Sequence, residues 1–218
     1  MGVLTVRREK RHAGTTVIRI PFLGYKVMAS LVSTMNPRVG GTAMIDSVEQ
    51  ALAELRRRGA LPMRALVDAV AGEAVRGSWW GHPRGQRIFA IASALEDSGE
   101  ALAVKLEGRV AFLHRSLWPA LRRAVTDPAW RGRASRGLGP AARALLSRVQ
   151  RSGEVVEPDR HARREIEAAL LAWVGQEHTA SGRHRAVVRS WRRVLPEQDQ
   201  PSLEEALARL AAAGVALP

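Results

Sequence analysis

The spacing of apolar and polar residues changes twice within residues 76–118. From Gln86 to Leu95, Ile88, Phe89, Ile91, Ala92 and Leu95 recur at i, i+3 and i+4, the spacing of an amphipathic helix. Leu102, Val104 and Leu106 then alternate with Lys105 and Glu107. Past Glu107-Gly108, Val110, Phe112 and His114 alternate again. Two alternating runs around a Gly-containing two-residue turn predict a β-hairpin, with Gly supplying a positive φ. Upstream, Asp46-Ser47 offers N-caps to a stripe of Val48, Ala51, Leu52 and Leu55 that stops at Arg56-Arg57-Arg58-Gly59. Cations in a last turn followed by Gly are a helix stop. Leu61-Pro62 opens a second helix, with Met63, Leu66, Val67 and Val70 inward and Gly72 closing it.

Three helices followed by a hairpin are the outline of a winged helix-turn-helix, in which the third helix, Arg84 to Glu96, addresses the major groove of DNA. Leu117, Trp118, Leu121 and Val125 add a short helix ending at Asp127-Pro128, and the Gly/Arg-rich residues 129–139 read as a linker. Pro140 opens a helix through Leu145, Leu146 and Val149 that ends at Arg151-Ser152-Gly153-Glu154, echoing the stop at Gly59. Ala162, Ile166, Ala169 and Leu170 predict a further helix, Leu171 to Thr179 a β-like run, and Arg183 to Arg193 a basic amphipathic helix. Ser202 and Glu205 cap a last helix that runs to Ala213. The expectation is a mainly α fold with small β-hairpins, built as tandem winged helix-turn-helix-like units over residues 44–128 and 140–218. Residues 1–43 have no usable period and read as an unstructured extension, with Met35 or Met44 as the natural start.

Charge sharpens this outline. The net charge is +13, which favours a polyanionic partner such as nucleic acid. Arg7, Arg8, Lys10, Arg11, Arg19, Lys26 and Arg38 against Glu9 put +6 of it in residues 1–43 and leave +7 for the remainder. Cysteine is absent, so disulfides and thiolate chemistry are excluded. No apolar run is long enough for a membrane span, and the expected compartment is the cytoplasm, in association with the nucleoid.

Candidate contacts follow from position. Trp79-Trp80, in a Gly-flanked loop, either stack on bases or anchor the loop to the core. His82 either meets phosphate or makes a local loop hydrogen bond. Arg84 and Arg87 stand at the start of the third helix, and Lys105 and Arg109 flank the hairpin tip, where wings meet phosphate. In the second half, Arg183 and His184 are the basic candidates for DNA contact. Glu177-His178 is the polar pair that a catalytic reading would use. Two histidines six apart, His178 and His184, without a third ligand do not make a metal site. With no phosphate loop, nucleophile elbow or paired-carboxylate pattern, no cofactor is expected.

The element order, with WWGHPRGQRIFAI, KLEGRVAFLHRSLWPAL, ARALLSRVQRSGEV and LLAWVGQEHTASGRHRAVVRSW, resembles short bacterial proteins of winged-helix type, and more distantly the AlkZ/YcaQ class of DNA glycosylases. The resemblance covers roughly residues 46–195 and implies binding to double-stranded DNA in repair or transcription. That class carries a catalytic Gln-x-Gln motif, for which this chain has Gln176-Glu177-His178. The expected function is therefore duplex binding. The enzyme alternative is a glycosylase-like protein with Trp79 or Trp80 as a wedge and Glu177 or His178 handling water. A third alternative is an interaction module that docks a protein partner or a second copy.

Overall fold

The computed structural model describes residues 44–157, 159–178 and 184–218. The expected extension over residues 1–43 and the candidate Arg183 lie outside the described residues. The fold is mixed, just over half helical, with two small three-stranded antiparallel sheets. The first half comprises α1 (Val48–Arg58), β1 (Ala60–Pro62), α2 (Met63–Ala71), a 3-10 turn (Trp79–Gly81), α3 (Gly85–Asp97), β2 (Ala101–Leu106) and β3 (Arg109–His114). Next come α4 (Trp118–Thr126) and α5 (Pro128–Ala134). The second half follows as α6 (Pro140–Ser152), β4 (Glu154–Val156), α7 (Arg160–Ala168), β5 (Trp173–His178) and β6 (His184–Arg189). The chain closes with α8 (Trp191–Val194) and α9 (Leu203–Ala212).

The local signals work as their chemistry requires. Ser47 Oγ accepts from the Gln50 amide at 3.2 Å while Gln50 Oε1 accepts from the Ser47 amide at 3.1 Å, a reciprocal capping box. The hairpin turns at Glu107 (φ 48°) and Gly108 (φ 76°), both left-handed, which matches the twist of its strands. Its register pairs Val104 with Ala111 and Leu106 with Arg109.

The strand order repeats. In the first sheet it is β1-β3-β2 and in the second β4-β6-β5, so each early strand joins the far strand of its hairpin. The preceding helix ends in each case at a Gly with φ 76°, Gly59 or Gly153, whose carbonyl takes the amide of His114 at 2.8 Å or Ser190 at 2.9 Å. The third strands were absent from the hairpin expectation because three residues are too few to display an alternation.

Three further differences have physical causes. Arg183 to Arg193 does not form the expected helix: residues 184–189 are β6, and only Trp191–Val194 is helical. Val187, Val188 and Trp191 fit a helical stripe in isolation, but pairing with both β4 and β5 settles the strand. Residues 129–139, expected as a linker, hold most of α5, with Trp130 and Leu138 buried in the larger core. Finally, the second half has no counterpart of α3. Four residues, 169–172, join α7 to β5, turning through Leu170 at φ 50°.

Two apolar cores meet at the first sheet. Leu61, Ala101 and Phe112 face a core with α1, α2 and α3. Ala60, Leu102, Val104 and Leu113 face a second core shared with α4, α6, α7, the second sheet and α9. Both faces of this sheet are covered, so its alternating positions are apolar on both sides. No helix among the described residues is long and apolar enough to cross a membrane.

Candidate nucleic-acid interface

The candidates Trp79, Trp80, His82, Arg84 and Arg87 come together at the entry to α3. Gly85 makes this entry possible. Its amide donates to the His82 carbonyl at 2.7 Å, and a Cβ there would stand 3.1 Å from the carbonyl oxygens of both tryptophans. The indoles stack with centroids 4.3 Å apart and planes 20° off parallel. Trp79 is half-buried and packs on the first core. Trp80 stays 52% exposed, with Phe89 of α3 tilted against it at 5.7 Å. Trp79 thus anchors the turn to the core, and Trp80 projects into solvent.

His82 makes local bonds. Its Nδ1 accepts from the Arg84 amide at 3.1 Å and its Nε2 lies 3.1 Å from Glu73. Arg84 and Arg87 both reach back to Asp46, just before α1. Arg84 Nη1 lies 3.2 Å from Asp46 Oδ1 and donates to the Val70 carbonyl at 2.9 Å. Arg87 Nη2 donates to the Asp46 carbonyl at 2.6 Å. These ties orient α3 on the first half. The ion pairs are half-exposed and weak enough, at most about 1 kcal/mol, for a phosphate to compete with Asp46. The rest of the outer face of α3, Gln86, Ala90 and Asp97, is exposed and carries no further cation.

The hairpin divides its two cations. Arg109 is exposed beside the tip. Lys105 instead turns inward and lies 2.9 Å from Glu167 Oε2 of α7, which corrects its expected place at a phosphate-facing tip. Burial pushes the Glu167 carboxyl above its ordinary range, and Lys105 only partly offsets this. Alongside, Trp173 Nε1 donates to the Ala103 carbonyl at 3.1 Å, so edge strands β2 and β5 are bridged by a side chain.

Glu177 is buried and bonded by two guanidiniums. Arg185 donates from Nε at 3.1 Å and from Nη2 at 2.8 Å, and Arg189 takes the other carboxylate oxygen. Burial raises the Glu177 pKa, but the two arginines outweigh it and hold the carboxyl below its usual value. A carboxylate held ionised in this way is a poor proton acceptor. Arg189 also bonds Glu154 at 2.6 Å and lies over the Trp173 ring at 5.6 Å, making a polar row across the second sheet. His178 and His184 are register partners where β5 ends and β6 begins. Among the described residues no group of three or more His, Asp or Glu could hold a metal ion.

Sequence reasoning passed over one basic stretch. Residues 129–164 carry nine arginines against Glu154, Glu157 and Asp159. Of these, Arg133, Arg136, Arg143, Arg151 and Arg164 are exposed and have no carboxylate in ion-pair range among the described residues. Charge counted by segment would have found it. No protein-family model matches the chain, and neither the curated proteins nor the solved structures give a match.

Proposed function

We propose that the protein binds double-stranded DNA through a winged helix-turn-helix in its first half, with a second, reduced unit of the same plan behind it. The observation that carries this reading is the arrangement of α1-β1-α2-α3-β2-β3 with strand order β1-β3-β2, which leaves one face of α3 open beside a hairpin. In such a module the third helix enters the major groove and the hairpin meets the backbone. Here Arg84 and Arg87 stand at the entering end of that helix and Arg109 at the wing tip. Affinity comes mostly from phosphate neutralisation by arginines, including those of residues 129–164. A nucleoid location, and a part in repair or transcription, follow from this reading.

Reversing a charge on α3 tests it. Arg87 is half-exposed and its pair with Asp46 contributes at most about 1 kcal/mol, so Arg87→Glu should keep its circular dichroism spectrum while placing a carboxylate against the groove. Electrophoretic shift of a 20–30 base-pair duplex should show binding by the wild type and a loss of at least tenfold in the variant. Equal binding by both proteins would remove α3 from the interface.

A further inference from the structure

Among the exposed large hydrophobic residues described, Trp80 is the largest, with 52% of its surface open to water. Nothing in the core requires it, because Trp79 already anchors the turn. Yet its ring is held in one orientation by the stack on Trp79 at 4.3 Å and by Phe89 at 5.7 Å. The backbone beneath it is closely packed too, since a Cβ at Gly85 would stand 3.1 Å from the carbonyl oxygens of Trp79 and Trp80. An exposed aromatic that is pre-ordered loses little freedom when a flat partner stacks on it. The charge around it selects the partner. Arg84 and Arg87 share Asp46 in half-exposed pairs that a phosphate can displace, His82 faces Glu73, and Arg76 is exposed without a partner among the described residues.

We infer that Trp80, backed by Trp79, is a stacking platform for one unpaired nucleobase, with the nearby arginines on the flanking phosphates. Aromatic stacking tolerates any base, because each has a π-face, and the cations hold the strand that carries it. The inference rests on the DNA-binding reading and refines it: the favoured DNA is a duplex in which one base has already left the stack. Such a base has no pairing to lose, so stacking on Trp80 adds affinity that an intact duplex gains only after unpairing.

The test uses the full chain and three labelled duplexes of one sequence: intact, with a one-base bulge, and with an abasic nucleotide at that bulge. Fluorescence anisotropy should show the bulged duplex bound roughly tenfold tighter than the intact one, the scale of one stacked base. The abasic bulge should lose that gain. Trp80→Ala should abolish the preference, so that the variant binds the bulged and intact duplexes equally, and Trp80→Phe should keep part of it. Circular dichroism of both variants should match the wild type, and melting should fall only slightly, as the half-exposed ring contributes little beyond its contacts with Trp79 and Phe89. Intact-duplex binding without a bulge preference, a preference that survives Trp80→Ala, or equal gain from the abasic bulge would overturn this inference alone. No binding to any of the three would overturn the DNA-binding reading and this inference with it.

Discussion

The two halves share a strand frame and differ in what connects it. Both run helix, short strand, helix, hairpin, with the same strand order and the same left-handed Gly before the first strand. Between second helix and hairpin, the first half spends residues 72–100, including the tryptophan turn and α3, and the second only residues 169–172. The first half therefore has a helix with an open face. In the second, the short connection leads into a polar row of Glu154, Arg189, Glu177 and Arg185 whose charges satisfy one another. On the proposed reading, the frame alone does not make an interface; the insertion into it does. The second half serves the first by covering the outer face of its sheet with a shared core.

If that cover is integral, damage to it must be felt throughout. Trp191 is buried and its Nε1 donates to the Leu170 carbonyl at 2.5 Å. Trp191→Ala should cost about 3–5 kcal/mol, read as a large fall in the melting temperature of a single transition. Two separate transitions would mean that the halves are independent and that the comparison misjudges the second.

The Lys105–Glu167 pair sharpens the same point. Lys105→Met strands a buried carboxylate and should cost about 2 kcal/mol at neutral pH, most of it restored by adding Glu167→Leu. Glu167 has a folded pKa above its ordinary value. Its favourable contribution is thus full below the ordinary carboxylate range and is lost as pH rises through the raised pKa. The Lys105→Met protein should therefore gain stability on mild acidification. Glu177 has the opposite sign: its contribution is present above the ordinary range and is lost as pH falls through its depressed pKa. Glu177→Gln should flatten the acid limb of the melting profile, and an unchanged limb would mean that the two arginines do not hold it.

A smaller effect separates the two glycines. Gly153→Ala forces a left-handed Ala with room around it, about 1 kcal/mol. Gly59→Ala adds contacts of 3.2 Å with Leu117 and 3.3 Å with Ala213, and should cost about 2 kcal/mol. Equal losses by chemical denaturation would show that the first junction is less tightly packed than its distances indicate.

What the sequence made legible was whatever is local. The helices of the first half, the hairpin and both Gly stops follow from period and capping over a few residues. What it hid depends on distant partners. β6 is a strand because β4 and β5 lie on either side of it, and Trp130 is buried because the larger core receives it. The candidate site divided in the same way. The clustering of Trp79 to Arg87 was readable from their proximity in the chain. That Lys105 meets a carboxylate 62 residues away, or that Arg84 bonds Asp46 38 residues earlier, was not.

The wing gives the smallest expected change. Arg109→Ala should weaken binding to every duplex alike and reduce the salt slope by about one, whereas Lys105→Met should leave the slope unchanged because Lys105 faces Glu167. An altered slope in the Lys105 variant would mean that this pair opens on binding.

Binding of the full chain to a fluorescent 20–30 base-pair duplex, titrated between 50 and 200 mM salt, tests the central claim most directly. Four or more arginine–phosphate contacts should make the logarithm of affinity fall with the logarithm of salt at a slope of about −4 or steeper. No binding at low salt, or a slope near zero, would contradict the account.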